Sequence, residues 1–507
     1  MKLVTAFLVL IASATASFAQ AAVDLVIFNA NVRTMASAQP LAEAIAVSGG
    51  EIVAVGSSKT ILALADTDTK RIDAKGKLVL PGFNDAHVHF AAIGNTFSSI
   101  KLSDIKTPKQ FTDRVAHFSR FLPKGRWILG SGWDNRTWVP NDPPTRALID
   151  EVSPDNPVFI YNWDATAVLV NAAALKIAQI DASTKDPLGG VIFRNTKGEP
   201  TGVLRGSAIQ LVGKLVPQNH SKNLAEVLET ATGYAASLGV TSVQDTHSDD
   251  IATELRSLAT NGKLKTRIYD CISLSKWKEL ADKKIKAPNG DAMVRTGCVK
   301  FFAEDEEEDI AQLERDITGA DKVALQVAIH AIGTSHVQTV LSVYEKVAKT
   351  NGPRDRRFRV EHARGADVKD LPRFARINAI ASMQPWLFFG ENGSTSDDYK
   401  KIFAAGMPIA FGSDASMTDF DPILGIHAAV NSKNGVSVEQ AVRAYTLGSA
   451  FAEFQEKSKG TIEVGKLADF VILSNDIFVM DRNSIRNARV EMTILNGKVI
   501  FQTDPTK

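Results

Sequence analysis

Residues 84–90 read NDAHVHF after LVLPG, so two of the chain's nine histidines stand one residue apart at the end of an apolar run. In a strand, residues i and i+2 project to the same side, which aims His87 and His89 together. Two imidazoles on one face can grip a divalent metal; they can equally be a polar strand end in contact with water. The rest of the chain weighs on that choice. Lys300 lies inside the apolar run GCVKFFAED, His330 ends LQVAIHAIG, His362 ends RFRVEHARG and Asp414 ends MPIAFGSDA. Singly, each has an ordinary explanation: a satisfied core histidine, a helix N-cap at Asp414, a lysine snorkelling to solvent. Jointly they do not, because capping and packing predict no correlation among strand ends. Imidazoles and carboxylates gathered this way are the donors of zinc and its neighbours.

Such a set needs elements that bring distant strand ends together. From about Pro81 to Glu456, short apolar runs (PVFIYNW, GVTSVQD, VKFFAED and the three above) alternate with helical patterns such as NLAEVLETATGYAASLG. Strands buried on both faces and separated by helices predict a parallel sheet, and eight such units close a barrel whose functional groups gather at the carboxyl ends of the strands. The fold class is therefore α/β, a (β/α)8 TIM-like barrel. The stretch from about Thr107 to Pro217 is extra, and its Pro, Gly and Trp content suggests long loops over the barrel mouth. At both ends the pattern changes to β hairpins, turning at Gly49-Gly50 and at Asn496-Gly497. A small β-sandwich domain built from both termini accounts for them, as residues 20–80 and 457–507, with the barrel, 81–456, inserted between.

Composition removes other classes. Charged residues make up 23% and hydrophobic residues 44% of the 507, with 58 basic against 57 acidic side chains. That is an ordinary globular composition, and no basic block offers a nucleic-acid surface. The two cysteines, Cys271 and Cys298, make no disulfide framework and read as inert buried thiols. Residues 1–19 carry Lys2, an apolar run from Leu3 to about Ala12 and small residues at Ser17 and Ala19. This is the pattern of a bacterial secretory signal peptide, cleaved before Gln20, which implies a periplasmic or secreted protein with no stable membrane anchor after cleavage.

The motifs PGFNDAHVH, VKFFAED, QVAIHAIG, RVEHA and GSDA resemble those of the amidohydrolase superfamily. The similarity is to amidohydrolase family 3, the YtcJ-like branch that includes N-substituted formamide deformylases, and runs from about Asp24 to Phe501. The segments DPLGGVIFRNTKGEPTGVLRG and AVRAYTLGSAFAEFQEKSKGTIEVGKLADFVILSND add to it. The resemblance implies two divalent metals, usually zinc. His87, His89 and Asp414 would bind one, His330 and His362 the other, and a carboxylated Lys300 would bridge them. It also implies hydrolysis of a non-peptide carbon–nitrogen bond, in an amide or cyclic amide, by a metal-bridging hydroxide, with Asp414 as general acid and base. A mononuclear site is the alternative. Family members are often dimers, so a homodimer is compatible with the resemblance.

Several positions depart from the branch's pattern. Thr166 in WDATA stands where a histidine is common, Gly206 where a glutamate is common, and Leu387 where another histidine is common; Thr334 and Ser335 follow HAIG in place of an aspartate. Together they suggest a less polar pocket for the small-molecule substrate, with Trp133, Trp163, Thr166 and Trp386 as lining candidates and Trp138 as a further one. The competing readings are a hydrolase of the same fold acting on esters, lactones or phosphoesters, a nucleobase deaminase, and a non-catalytic ligand-binding descendant.

Overall fold

The barrel strands are β1 (Phe83–Val88), β2 (Val240–Thr246), β3 (Arg267–Ser273), β4 (Val294–Phe301), β5 (Gln326–Ile332), β6 (Arg359–Arg364), β7 (Ile380–Met383) and β8 (Ile409–Phe411). In this computed structural model, which describes residues 22–97, 99–217, 224–246, 251–301, 310–390, 397–415 and 417–503, each strand pairs in parallel with the next. A parallel bridge between Val88 and Ala415 brings the segment after β8 back to β1 and nearly closes the ring. β1 and β2 are buried along their whole length, which explains why the sequence shows apolar runs rather than alternation. The proposed signal peptide, residues 1–19, lies outside the described residues.

The chain ends form two further sheets. One orders Glu51–Gly56, Ala44–Ser48, Leu25–Phe28 and Lys70–Asp73; the other runs from Lys498–Gln502 through Val490–Leu495, Phe470–Leu473, Leu78–Pro81 and Asn31–Arg33 to Leu41–Ala42. Ile27, Ile45 and Ile52 of the first share one buried cluster with Val79, Phe470 and Ile494 of the second. Buried ion pairs tie these sheets to the barrel floor. The Arg267 guanidinium grips Asp469 at 2.7 and 2.9 Å, and Lys459 lies 2.7 Å from Glu453, which also accepts from Asn84 at the root of β1. Such pairs add little net stability, because desolvation offsets their attraction, but losing one partner strands a buried charge.

Two expectations are corrected. The stretch 107–217 is not a set of long loops. With Ile100–Lys101 it forms a six-stranded mixed sheet with its own cores, and helix Pro108–Phe121 packs against barrel helix Leu224–Ser237. Most of its prolines lie between elements, but Gly130, Gly132, Gly190, Gly202 and Gly206 lie within strands of five to seven residues. Nor are Cys271 and Cys298 free thiols: they form a buried disulfide between neighbouring strands β3 and β4. The parallel register sets them opposite one another, Cα atoms 4.3 Å apart, which a separation of 27 residues conceals in the sequence.

Candidate metal centre

The carboxyl ends of β1 and β8 meet through the backbone. Asp414 N–H donates to the His87 carbonyl at 2.8 Å, His89 N–H to the Ala415 carbonyl at 2.6 Å, and buried Asp85 accepts from the N–H groups of His87 and Ser413, both at 3.0 Å. Gly412 permits this approach, since a Cβ there would stand 2.5 Å from His87 N and 2.7 Å from Asp85 Oδ1. Asp414 itself has φ 61 and His362 φ 66, positive values that non-glycine residues adopt uncommonly.

Three ligand atoms converge as a result. Nε2 of His87 and Nε2 of His89 lie 3.4 and 3.3 Å from Asp414 Oδ1, and one ligand atom from each of the three side chains falls within 4.8 Å of the others. Ligands about 2.0–2.1 Å from a tetrahedral ion stand roughly 3.3 Å apart, so the spacing fits a metal. Two further histidines lie alongside. The ring centroids of His87 and His362 are 4.9 Å apart and those of His362 and His330 4.5 Å. Lys300 is buried, as its apolar run predicts, and its charge acts on His87, His330 and His362.

The protonation states suit ligation. Burial, then the Lys300 charge, pushes His87 down to about 3; the same two influences hold His330 at about 4. Burial likewise lowers His362 to about 4. All three are neutral donors near pH 7. Burial alone would raise Asp414, but the His89 hydrogen bond, with His87 and His362 alongside, outweighs it and holds the carboxyl below its ordinary value.

Buried side chains aim the imidazoles. Glu361 Oε2 lies 2.5 Å from His87 Nδ1, and Gln384 Oε1 lies 2.6 Å from His362 Nδ1. Arg359 Nε donates to Glu361 Oε1 at 2.6 Å, and its Nη atoms donate to Gln244 and, at 2.5 Å, to the Ala86 carbonyl. Burial would raise Glu361, but the Arg359 charge, together with the His87 hydrogen bond, dominates and holds it well below the usual carboxylate range. Sequence reasoning missed these residues. The signal was RVEH, where Arg359 and Glu361 fall on one side of β6 at period two.

The pocket candidates separate. Trp133, Trp163 and Thr166 line one cavity in the inserted sheet. Trp133 is buried and gives its N–H to the Ile160 carbonyl, while Trp138 packs on Phe111. Trp386 stands elsewhere, donating to Asp419 and facing Phe389 and His427.

Known proteins place the chain. A family profile described as "Amidohydrolase family" matches residues 70–501. Protein LONG AFTER FAR-RED 3 of Arabidopsis thaliana is 31% identical, the match covering 94% of this chain and 91% of that one. N-substituted formamide deformylase of Arthrobacter pascens is 26% identical over 94% of this chain and 98% of its own. In fold, the chain is similar to an uncharacterized metal-dependent hydrolase from Pyrococcus furiosus, with TM-score 0.61 and 24% identity over 90% of this chain and 99% of that one.

Proposed function

Because the chain belongs to the amidohydrolase family, we propose that it is a metal-dependent hydrolase cleaving a carbon–nitrogen bond, in a non-peptide amide or cyclic amide, of a small molecule. The observation that carries this reading is the convergence of His87, His89 and Asp414 within 4.8 Å where β1 and the segment after β8 meet. These three would hold one divalent ion, zinc by donor type, with His330 and His362 holding a second. Lys300 would join the halves after its neutral amine adds to carbon dioxide and loses a proton, which turns a poor ligand into an oxygen donor. Bound there, the metals supply Lewis acidity, which polarises a carbonyl and acidifies water.

The chain's own residues do the rest. Asp414, kept ionised by its histidine neighbours, takes a proton at its carboxylate during attack and returns it to the departing nitrogen. Glu361 and Gln384 hold His87 and His362 with Nε2 facing the centre. The C–N specificity draws support from the deformylase relative, whose name states its substrate class. A periplasmic or secreted location draws support from the Cys271–Cys298 disulfide, since disulfides persist in oxidising compartments.

Asp414→Asn tests the mechanism. Against a panel of N-substituted formamides, cyclic amides, esters and lactones, turnover should fall at least about a thousandfold while most of the metal stays bound. Full activity in that variant removes Asp414 from proton transfer, and a preference for esters or lactones overturns the bond assignment.

A further inference from the structure

The inserted sheet is covered unevenly. One face packs Phe159, Val170, Ile192 and Leu204 beneath helices Ala172–Ile177 and Ile209–Gly213. On the other, helix Pro108–Phe121 covers Ile128, Ile160 and Leu169, and Val203 of strand Pro200–Gly206 packs at the margin of that cluster. On strands Gly190–Arg194 and Pro200–Gly206, Ile192 and Leu204 are buried, while Val191, Phe193 and Arg205 are exposed on the opposite side, Val191 directly opposite Arg205. Where cover is missing, a cavity of about 430 Å³ opens, within the usual range for small-molecule sites.

Its lining pairs aromatic surface with a guanidinium, that of Arg205, which has no ion pair among the described residues. Trp163 is 54% exposed and Phe193 43%, high values for such side chains. The Arg136 guanidinium stacks on Trp163 at 4.2 Å and is itself held by Asp134 through two bonds of 2.8 Å, so the indole is fixed in place. Arg194 pairs with Asp186 at 2.7 Å, and Asp164 accepts from Thr166 and Asn162, both at 2.7 Å. The Arg205 side chain makes no hydrogen bond or ion pair with any described residue.

We propose that this cavity binds a small aromatic carboxylate. The Arg205 fork would take the carboxylate in a bidentate pair, and the ring would lie against Trp163 and Phe193. The Trp163 and Phe193 faces beside an unpaired guanidinium favour a planar anion over a sugar. None of the proposed metal ligands lines the cavity, so its failure would leave that reading intact.

Calorimetric titration of the full chain with 2-naphthoate, before and after zinc loading, tests it. One saturable site of equal affinity in both states is expected. Arg205→Gln and Phe193→Ser, both at exposed positions, should each weaken binding about tenfold or more, as should replacing the probe by 2-naphthylmethanol. Binding that requires zinc would put the carboxylate at the metals and overturn the proposal. So would unchanged affinity in both variants, absence of saturation, or a dimer in sedimentation that Phe193→Ser dissociates, which would make this face a contact between two copies of the chain.

Discussion

Glu361 Oε2 and His87 Nδ1 stand 2.5 Å apart, both side chains fully buried. The carboxylate accepts the Nδ1–H, which selects one tautomer and leaves the Nε2 lone pair directed at the position beside Asp414. Arg359 in turn fixes Glu361. The pair therefore acts on metal affinity rather than on the chemical step. Glu361→Gln should weaken zinc binding about 10–100-fold, read by competition with a chromophoric chelator, with circular dichroism to confirm the fold. Glu361→Ala should do at least as much. Affinity unchanged in both would reduce the contact to packing.

Lys300 distinguishes two metals from one. Its buried charge reaches both His87 and His330, which belong to opposite halves of the proposed centre. Protein expressed with zinc and bicarbonate should carry about two metals per chain by plasma mass spectrometry, and Lys300→Ala should carry one or fewer. Equal stoichiometry in the two proteins would leave a mononuclear centre without a bridging lysine.

What could be read from the sequence follows from how local each signal is. His87, His89, His330, His362, Lys300 and Asp414 were legible because each ends, or lies within, an apolar run, and a parallel barrel brings such positions to one mouth. The hairpins at Gly49-Gly50 and Asn496-Gly497 were legible from turn chemistry. Contacts between strands were not. Glu361 meets His87 from 274 residues away, and the disulfide depends on the relative register of β3 and β4. The inserted sheet does not show in the sequence because glycines such as Gly130, Gly132 and Gly202 stand within its strands and read as loop signals, while strands such as Ala167–Val170 are too short to advertise a period.

Gly412 shows how narrow the junction between β1 and β8 is. A methyl group there would press on His87 N and Asp85 Oδ1 at distances no real Cβ contact shows. Both obstacles are rigid: one is backbone, the other a carboxylate held by two N–H groups. Gly412→Ala should therefore cost about 1–3 kcal/mol, seen as a lower denaturant midpoint at unchanged m-value, and should weaken zinc binding because His87 must shift. A stable variant of normal affinity would mean that the strand ends can separate without loss.

Asp245, at the end of β2, gives a pH signature. It is buried, accepts one hydrogen bond from Phe90 N–H at 3.3 Å, and burial pushes its carboxyl up from 3.8 to about 7. The folded chain thus retains a proton that the unfolded chain has released between those two values. Wild-type stability from this group is complete below pH 3.8 and declines as pH rises through about 7, by at most about 4 kcal/mol. Asp245→Asn keeps an oxygen acceptor for Phe90 and removes the titration. In metal-free protein its advantage over wild type should be absent near pH 4, grow through pH 5–7 and level off above, as read by denaturant midpoints at each pH. Zinc should shrink that advantage, because a cation beside His89 favours the ionised carboxylate. A gain that does not vary with pH would mean that Asp245 does not titrate across this range, and the effect would then belong to packing.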